Sequence, residues 1–466
     1  MASYHQLPTL PSVAKEVKSS GDAGSTQEPL LNRIHDSENY SASAAILPFL
    51  FPAFGGLLYG YDIGSTSCAT ISIMSATLSG TSWYNLSSVQ IGLITSGSLY
   101  GALTGSLLAF NVADFLGRRR ELIVAALLYL AGALITALAT GLPIIVVGRF
   151  IYGMGIGMAM HAAPMYIAET APTQIRGRLI SLKEFFIVLG MVGGFGVGSL
   201  LVDLVAGWRY MYGASTPLAV IMGIGMLWLP PSPRWLLLRA IQGKENMDDL
   251  RERAIHSLHR LRGKCLKALV IGAGLFLFQQ ITGQPSVLYY AASIFQSAGF
   301  SAAHDATRIS IFLGLLKLIM TGTAVILVDT LGRRPLLLGG VSGMVISLFL
   351  LGSYYLFLED TLVVAIVGLL LYVGCYQISF GPIGWLMMSE VFPLRLRGRG
   401  LSIAILVNFG ANALVAFAFS PLKAWLGAGI LFYIFFIIGV ASLVFIYFVI
   451  PETKGLTLEE IEAKCL

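Results

Sequence analysis

The sequence predicts an all-α membrane protein with twelve transmembrane helices in two parallel six-helix repeats. Of its 466 residues, 56% are hydrophobic and only 12% are charged, and the mean hydropathy is +0.79. A water-soluble protein needs more polar surface than this, so lipid must be the solvent for most of the chain. Apolar segments long enough to cross a bilayer recur along the whole length. We place them at residues 45–65, 89–113, 121–140, 143–167, 180–202, 211–229, 267–297, 308–329, 335–357, 362–388, 400–423 and 428–450.

The placement of basic residues predicts the orientation of these spans. Most arginines fall in alternate loops, whereas the loops of the opposite face keep only Arg209, Arg308 and Lys423. This is the positive-inside pattern, and it places both termini in the cytosol. The 30 Lys and Arg, against 24 Asp and Glu, are spread over short loops, so they do not indicate nucleic-acid binding. The four cysteines lack paired spacing, so no disulfide framework, metal site or other cofactor is indicated.

Polar stretches divide the chain into five parts. Residues 1–44 are rich in Ser, Pro and Gly and predict a disordered cytosolic tail. Residues 234–266 form a long polar interruption, which we expect to be a cytosolic loop. This loop separates an N-terminal six-helix half at 45–233 from a C-terminal six-helix half at 267–450, and residues 451–466 form a second cytosolic tail.

Three charged motifs of the first half return in the second half in the same order. The pairs are Asp114–Arg119 with Asp329–Arg334, Glu169–Arg178 with Glu390–Arg399, and Pro230–Arg234 with Pro451–Gly455. Acidic and basic side chains at helix ends can bond each other and the helix termini, so we expect a gate that clamps the two halves in one state. Plain positive-inside placement would explain the arginines but not the carboxylates. The predicted gate residues are Asp114, Arg118, Arg119, Glu169, Arg176, Asp329, Arg333, Arg334, Glu390, Arg397 and Glu452.

These motifs resemble those of the sugar porter family of the major facilitator superfamily. The resemblance covers nearly everything after residue 45 and rests on the two Gly-Arg-Arg segments, Pro233-Arg234-Trp235, Gln279-Gln280, Gly381–Trp385 and Pro451–Gly455. It implies a major facilitator fold in the lipid bilayer, alternating access, a monomer, and a monosaccharide and a proton as the transported partners. Within the family, the chain resembles the plant D-xylose–proton symporter-like group. This resemblance implies a vacuolar membrane, with the plasma membrane and the plastid envelope as alternatives.

Two predicted spans carry helix breakers deep in a hydrophobic run. Gly283-Gln284-Pro285 lies in span seven and Gly381–Gly384 in span ten, and broken helices at this depth line a cavity or are shielded by protein. Nearby amides suit paired sugar hydroxyls, and aromatic rings suit the C–H face of a sugar. The candidate sugar-binding residues are Gln279, Gln280, Gln284, Gln377, Asn408, Trp385 and Tyr289, of which the resemblance implies sugar binding for Gln279, Gln280, Trp385 and Asn408. The alternative is a packing kink with amides that join helices.

Four charged residues lie within the predicted spans, and such charges should pair or face water. The resemblance implies that Asp62 and Arg149 couple transport to a proton. We expect Glu184 and Lys317 to form an ion pair across the two halves beside the sugar, at positions where the family has amides. The alternative is that Lys317 reaches an aqueous face and Glu184 meets only water. His161 is predicted to be a satisfied helix-end residue and not a proton relay.

Several positions depart from the family pattern, which leaves the identity of the sugar open. They include Glu184, Gln284, Lys317 and Gln377, and the central loop is also shorter than the resemblance implies. Two alternative functions remain, a facilitative uniporter and a sugar sensor that does not transport. Enzyme activity is not indicated, because no nucleophile–base set or metal constellation is present. A channel is disfavoured by the two-fold repeat and the gate motifs.

Overall fold

The computed structural model describes residues 42–170, 176–232, 267–290, 303–357, 362–392, 397–454 and 461. The chain divides into two compact units at Ala45/Ile46, and the contacts discussed below lie in the second unit, Ile46–Leu466. Almost all of the tail predicted at 1–44, the whole loop predicted at 234–266 and most of the C-terminal tail fall outside the described residues. The predicted boundaries of the five parts therefore stay predictions.

The described residues form an all-helical bundle, as the sequence predicts. We name its helices α1 (Ala42–Met74), α2 (Ser88–Leu116), α3 (Arg118–Ala137), α4 (Leu142–Thr170), α5 (Arg176–Leu201), α6 (Gly207–Gly213 and Thr216–Trp228), α7 (Lys267–Ile281 and Gln284–Tyr289), α8 (Ala303–Leu331), α9 (Arg333–Phe357), α10 (Leu362–Ile378 and Phe380–Val391), α11 (Arg397–Leu426) and α12 (Ala428–Val449). By length and composition, ten of these described helices are apolar enough to cross a membrane. The other two are α1, which carries Asp62 among many small polar residues, and the interrupted α7.

Packing follows the repeat. In the first half α3 packs on α4 and α6, and in the second half α9 packs in the same way on α10 and α12. Among the described residues, the two most extensive contacts between the halves are α2 with α11 and α5 with α8. Since α8 is the repeat of α2 and α11 is the repeat of α5, these contacts are equivalent. The central site therefore lies between two matched interfaces, as parallel repeats require.

The Gly-Arg-Arg motifs turn the chain sharply between neighbouring helices. Gly117 joins α2 to α3 with a φ of 79°, and Gly332 joins α8 to α9 with a φ of 100°. Side chains of L residues rarely adopt this backbone conformation, so glycine is required at both turns. A Cβ on Gly332 would also approach Glu452 Oε2 to 2.8 Å. The end of the bundle that carries both motifs is called the arginine-rich end below.

Both predicted helix breaks are present, but the second lies earlier than expected. In α7 the first piece ends at Ile281 and Gly283 has a φ of 96° before the second piece begins. In α10 the break is at Ser379, and Gly381–Gly384 lie inside the second piece. The prolines explain both positions, because each ring removes an N–H and clashes with the carbonyl four residues earlier. Four residues before Pro285 and Pro382 stand Ile281 and Ile378, where the first pieces end.

Candidate functional site

Asp62 of α1 and Arg149 of α4 form a buried, two-pronged ion pair. Arg149 Nη1 donates to Asp62 Oδ1 at 2.9 Å and Arg149 Nη2 donates to Asp62 Oδ2 at 3.3 Å. Asp62 is only 3% exposed and Arg149 only 1% exposed. Ser98 of α2 donates to Asp62 Oδ2 at 2.8 Å and accepts from Arg149 Nη2 at 2.9 Å. The pair is therefore satisfied by hydrogen bonds, which a buried charge pair needs.

Close packing of α2 on α4 places these groups. A Cβ on Gly101 would lie 2.0 Å from the carbonyl oxygen of Phe150, and one on Gly153 would lie 2.0 Å from that of Ser98. Small residues allow the two backbones to touch, as is common between membrane helices. Arg149 can then also donate through Nε to the Ile94 carbonyl at 2.5 Å.

A small cavity adjoins the ion pair. It is lined by residues of α1, α4 and α6 that include Tyr61, Asp62, Ser65, Arg149 and Tyr212. The Arg149 guanidinium also lies 5.2 Å from the centre of the Tyr212 ring. The Asp62 carboxylate thus stands beside a small cavity, and the guanidinium of Arg149 balances its charge.

The predicted amides gather around the breaks of α7 and α10. Gln279 donates through Nε2 to the Phe380 carbonyl at 3.0 Å, and its Oε1 accepts from Asn408 Nδ2 at 3.2 Å. Gln280, Gln377 and Asn412 are buried beside them. The bonds of Gln279 thus anchor α7 to the break of α10 and, through Asn408, to α11.

Other polar atoms in this region are buried without any hydrogen-bond partner. Among the described residues these include Gln280 Oε1 and Asn412 Oδ1, whereas Gln377 interacts with Glu184 and Tyr289 with Tyr59. An unsatisfied buried polar atom costs about 1–3 kcal/mol. A ligand with hydroxyl groups would supply the donors that these two acceptors lack.

Trp385 provides the apolar surface of the site. It is 8% exposed, and Phe276 of α7 packs edge-on against it with ring centres 4.9 Å apart. The Lys183 ammonium of α5 lies 3.7 Å from the centre of the Trp385 ring. Lys183 therefore joins the first half to the second half at the indole.

The predicted Glu184–Lys317 pair is not a direct ion pair in this structure. Both side chains are described, and no nitrogen–oxygen distance between them is 4.0 Å or less. Glu184 instead interacts at longer range with Lys317 first and with Lys183 second. The Lys317 ammonium lies 6.0 Å from the centre of the Tyr376 ring, and Gln284 lines a small cavity with both. The reason is that Lys183 and Lys317 share the carboxylate of Glu184, and each ammonium also faces an aromatic ring.

The repeated gate motifs form matching bonds inside each half. Arg118 Nε lies 3.3 Å from Glu169 Oε1, and Arg333 Nη2 lies 2.9 Å from Glu390 Oε1. Ser232 donates to Glu169, as Thr453 donates to Glu390. These described bonds do not cross between the halves, unlike the clamp that the sequence predicts. The side chains of Asp114, Arg176, Asp329 and Arg397 lie outside the described residues.

Three further gate residues bond to backbone groups. Arg119 donates to the carbonyls of Met226 and Leu227, and Arg334 donates to that of Tyr447. Glu452 accepts the backbone N–H groups of Arg333 and Arg334, each at 3.0 Å. Partial burial alone would raise the pKa of Glu452. Hydrogen bonds from backbone N–H groups, of which that of Lys454 contributes most, lower the pKa by more than burial raises it. The pKa of this carboxyl is therefore held below its usual range.

His161 is satisfied on both ring nitrogens, as predicted, but it lies within α4 and not at the end of that helix. Its Nδ1 lies 2.9 Å from Glu121 Oε1, and its Nε2 lies 2.9 Å from Ser402 Oγ of α11. The sequence analysis missed Glu121 and Lys183 as charges inside spans. Their signal was available, because Glu121 follows the first arginine cluster and Lys183 directly precedes Glu184.

Comparison with known proteins agrees with this arrangement. Residues 49–464 match the family described as "Sugar (and other) transporter". The chain is 68% identical to the Arabidopsis thaliana protein called D-xylose-proton symporter-like 2, over 99% of each chain. It is 34% identical to the Staphylococcus epidermidis glucose transporter GlcP, over 89% of this chain and 96% of that one.

Solved structures show the same fold. The proton:xylose symporter XylE bound to 6-bromo-6-deoxy-D-glucose matches with a TM-score of 0.78 and 32% identity, over 91% of this chain and 99% of that chain. A further crystal structure of a D-xylose-proton symporter matches with a TM-score of 0.75 and 31% identity, over 89% of this chain and 100% of that chain. The predicted major facilitator fold is thereby confirmed. The chain is a multi-pass integral membrane protein that belongs to the sugar transporter family of the major facilitator superfamily.

Proposed function

We propose that this protein carries a monosaccharide and a proton together across a membrane by alternating access. The observation that supports this most directly is the cluster of buried amides at the breaks of α7 and α10, in which Gln280 Oε1 and Asn412 Oδ1 have no hydrogen-bond partner. A sugar offers several hydroxyls, each able to donate and accept, and an apolar ring face. Such a ligand would satisfy the amides and cover the indole at the same time.

The proposed sugar-binding residues come from the two broken helices, from α11 and from the charged cluster. They are Gln279, Gln280, Gln284, Tyr289, Gln377, Trp385, Asn408, Glu184 and Lys317. Relatives named as D-xylose-proton symporter-like and as a glucose transporter favour a pentose or hexose such as xylose or glucose. Glu184 and Lys317 add charged hydrogen-bonding groups, which bind hydroxyls more strongly than neutral amides do.

Asp62 is the proposed proton carrier, and Arg149 is its partner. When Asp62 is ionised, the guanidinium and Ser98 hold it between α1, α2 and α4. Protonation removes the negative charge of Asp62. A neutral carboxyl attracts the Arg149 guanidinium less strongly than a carboxylate does, so the pair loosens. The free energies of the two transport states then change relative to each other, which is how a bound proton can drive a conformational step.

The gate motifs are proposed to rearrange at the arginine-rich end, which the positive-inside pattern places in the cytosol. The Arg118–Glu169 and Arg333–Glu390 pairs hold helix ends within each half, so each half can move as a rigid body. We propose a monomer as the working unit. A vacuolar membrane is the proposed location, and the plastid envelope is its main alternative because one relative at 60% identity is named chloroplastic.

Uptake by proteoliposomes tests the proposed function. Purified protein would be given labelled xylose, glucose and other monosaccharides, with and without an inward-directed proton gradient. We expect at least one sugar to accumulate above its outside concentration only when the gradient is present. Equal uptake with and without the gradient would indicate the facilitative uniporter. Saturable binding without uptake would indicate the sensor.

A further inference from the structure

The feature that carries this inference is the ammonium of Lys183. The residue is fully buried in α5, and its Nζ lies 3.7 Å from the centre of the Trp385 ring and 4.0 Å from Met160 Sδ. Among the described residues no carboxylate oxygen comes within 4.0 Å of it. A buried ammonium is thus held mainly by the face of an indole that belongs to the other half.

This contact is strong enough to influence the carrier but weak enough to be exchanged. An ammonium over a tryptophan within about 6 Å is attracted by the ring, and desolvation strengthens the attraction. A direct ion pair at this depth would be harder to break, because it would leave an unpaired buried charge. Glu184, the next residue, interacts with Lys183 at longer range and offers the ammonium a second partner.

The same indole is the stacking surface assigned to the sugar under the proposed function, on which this inference rests. Phe276 already packs on Trp385 edge-on, and the ammonium covers the ring from the α5 side. The Oε1 atom of Gln280 meanwhile has no hydrogen-bond partner. In this structure, therefore, the indole face is covered by the ammonium, while a hydrogen-bonding atom of the candidate site stays unpaired.

We propose that Lys183 is the internal ligand of the empty carrier. It covers Trp385 when no sugar is bound, joins α5 of the first half to α10 of the second half, and moves toward Glu184 when a sugar stacks on the indole. It is a positioning residue, since it acts on transport through Trp385. Lys183 then competes with the sugar and stabilises the closed site of the unloaded protein.

This role makes different demands on two modes of transport. Net uptake requires the empty carrier to change state and return, whereas exchange of labelled for unlabelled sugar uses only the loaded carrier. A group that closes the empty site should therefore matter for net uptake and not for exchange. A lysine that merely packs would affect both modes alike or neither.

The test compares Lys183→Met, which keeps the apolar stem and removes the charge, with Lys183→Arg, which keeps a cation able to stack on Trp385. For Lys183→Met we expect sugar binding to tighten roughly 10- to 30-fold, about 1.4 to 2 kcal/mol, the scale of a desolvated cation–π contact. Net uptake should fall by a similar factor while exchange persists. Lys183→Arg and Lys267→Met, at an exposed lysine, should both behave like the natural protein.

Each outcome has a defined meaning. Weaker binding in Lys183→Met, or an equal loss of exchange and net uptake in a correctly folded variant, overturns the inference. If Lys183→Met does not fold, Lys183→Gln carries the same expectations. If the natural protein exchanges sugar and neither uncharged variant differs from it, the inference fails and the proposed function stands. If the natural protein neither binds nor exchanges any tested sugar, the proposed function fails and the inference with it.

Discussion

Replacing Asp62 by asparagine should separate proton coupling from sugar movement. The amide is permanently neutral, as the protonated carboxyl would be, and one carbonyl oxygen remains to accept from Ser98 or Arg149. Breaking a buried ion pair by removing one partner costs about 3–5 kcal/mol of stability. Because asparagine keeps an acceptor at the same place, we expect a loss of about 3 kcal/mol, at the lower end of that range.

The transport consequence can be calculated from the single carboxylate. One proton per sugar and one pH unit across the membrane supply about 1.4 kcal/mol, which is a tenfold concentration ratio. Proteoliposomes with the natural protein should therefore accumulate sugar up to about tenfold. Those with Asp62→Asn should only equilibrate it, yet should retain exchange at zero gradient.

The control is Asp203→Asn, which changes the same side chain at an exposed position after α5. It should accumulate sugar like the natural protein. If Asp62→Asn still concentrates sugar against its gradient, Asp62 is not the coupling site. If both exchange and accumulation vanish while the variant stays folded, Asp62 serves the conformational change itself and not the proton.

Three further experiments probe the remaining groups. Trp385→Ala and Gln280→Ala should each weaken sugar affinity by about 1–3 kcal/mol in equilibrium binding, and unchanged affinity in both would place the sugar elsewhere. Glu184→Gln and Lys317→Asn should each impair transport, and the double variant should regain part of the activity, with a coupling energy of about 0.5–3 kcal/mol. Additive losses would show that the two groups act independently. Glu452→Gln should lower thermal stability at neutral pH. The pKa of Glu452 is depressed in the folded state, so its carboxylate stabilises the fold at pH values above the ordinary pKa of a glutamate. This stabilisation is lost as the pH falls through the folded-state pKa, so the melting temperatures of the natural protein and of Glu452→Gln should converge in acid.

The sequence carried enough local information to predict the helices and their interruptions. Long apolar runs require helices in lipid, because every backbone polar group must be satisfied within the segment. Pro285 marks the break in α7 by removing an N–H, and the break in α10 is misplaced by only a few residues. There the prediction put the break at the glycines, whereas Pro382 acts on the carbonyl of Ile378, four residues earlier.

Contacts between the halves were harder to predict, because they depend on how the helices are rotated against each other. Glu184 and Lys317 were expected to pair on charge alone, but the neighbouring Lys183 also acts on that carboxylate. Nothing local to α5 indicates that Lys183 would lie over Trp385, two hundred residues later in the chain. The bond from His161 to Ser402 also depends on this packing of one half against the other.

The repeat makes the halves alike at the arginine-rich end and unlike at the centre. Counting back twenty residues from Glu169 and from Glu390, Arg149 of the first half corresponds to Leu370 of the second. The Asp62–Arg149 pair, the proposed proton site, therefore has no arginine at the equivalent position of the second half.

The sugar amides, in turn, come from α7, α10 and α11 of the second half. If the proposed sites are right, proton and sugar act mainly on different halves, and their coupling needs groups that reach across. Lys183, which lies on Trp385, is such a group. Coupling between two bound ligands is reciprocal, so any factor by which a proton tightens sugar binding must be the factor by which sugar tightens proton binding. The number of protons linked to sugar binding can be obtained in two ways, from the change of sugar affinity with pH and from the proton uptake on sugar addition. The two values should agree. A sugar affinity that does not change with pH, together with no proton uptake on sugar addition, would mean that the proton acts on the conformational rate and not on the bound state.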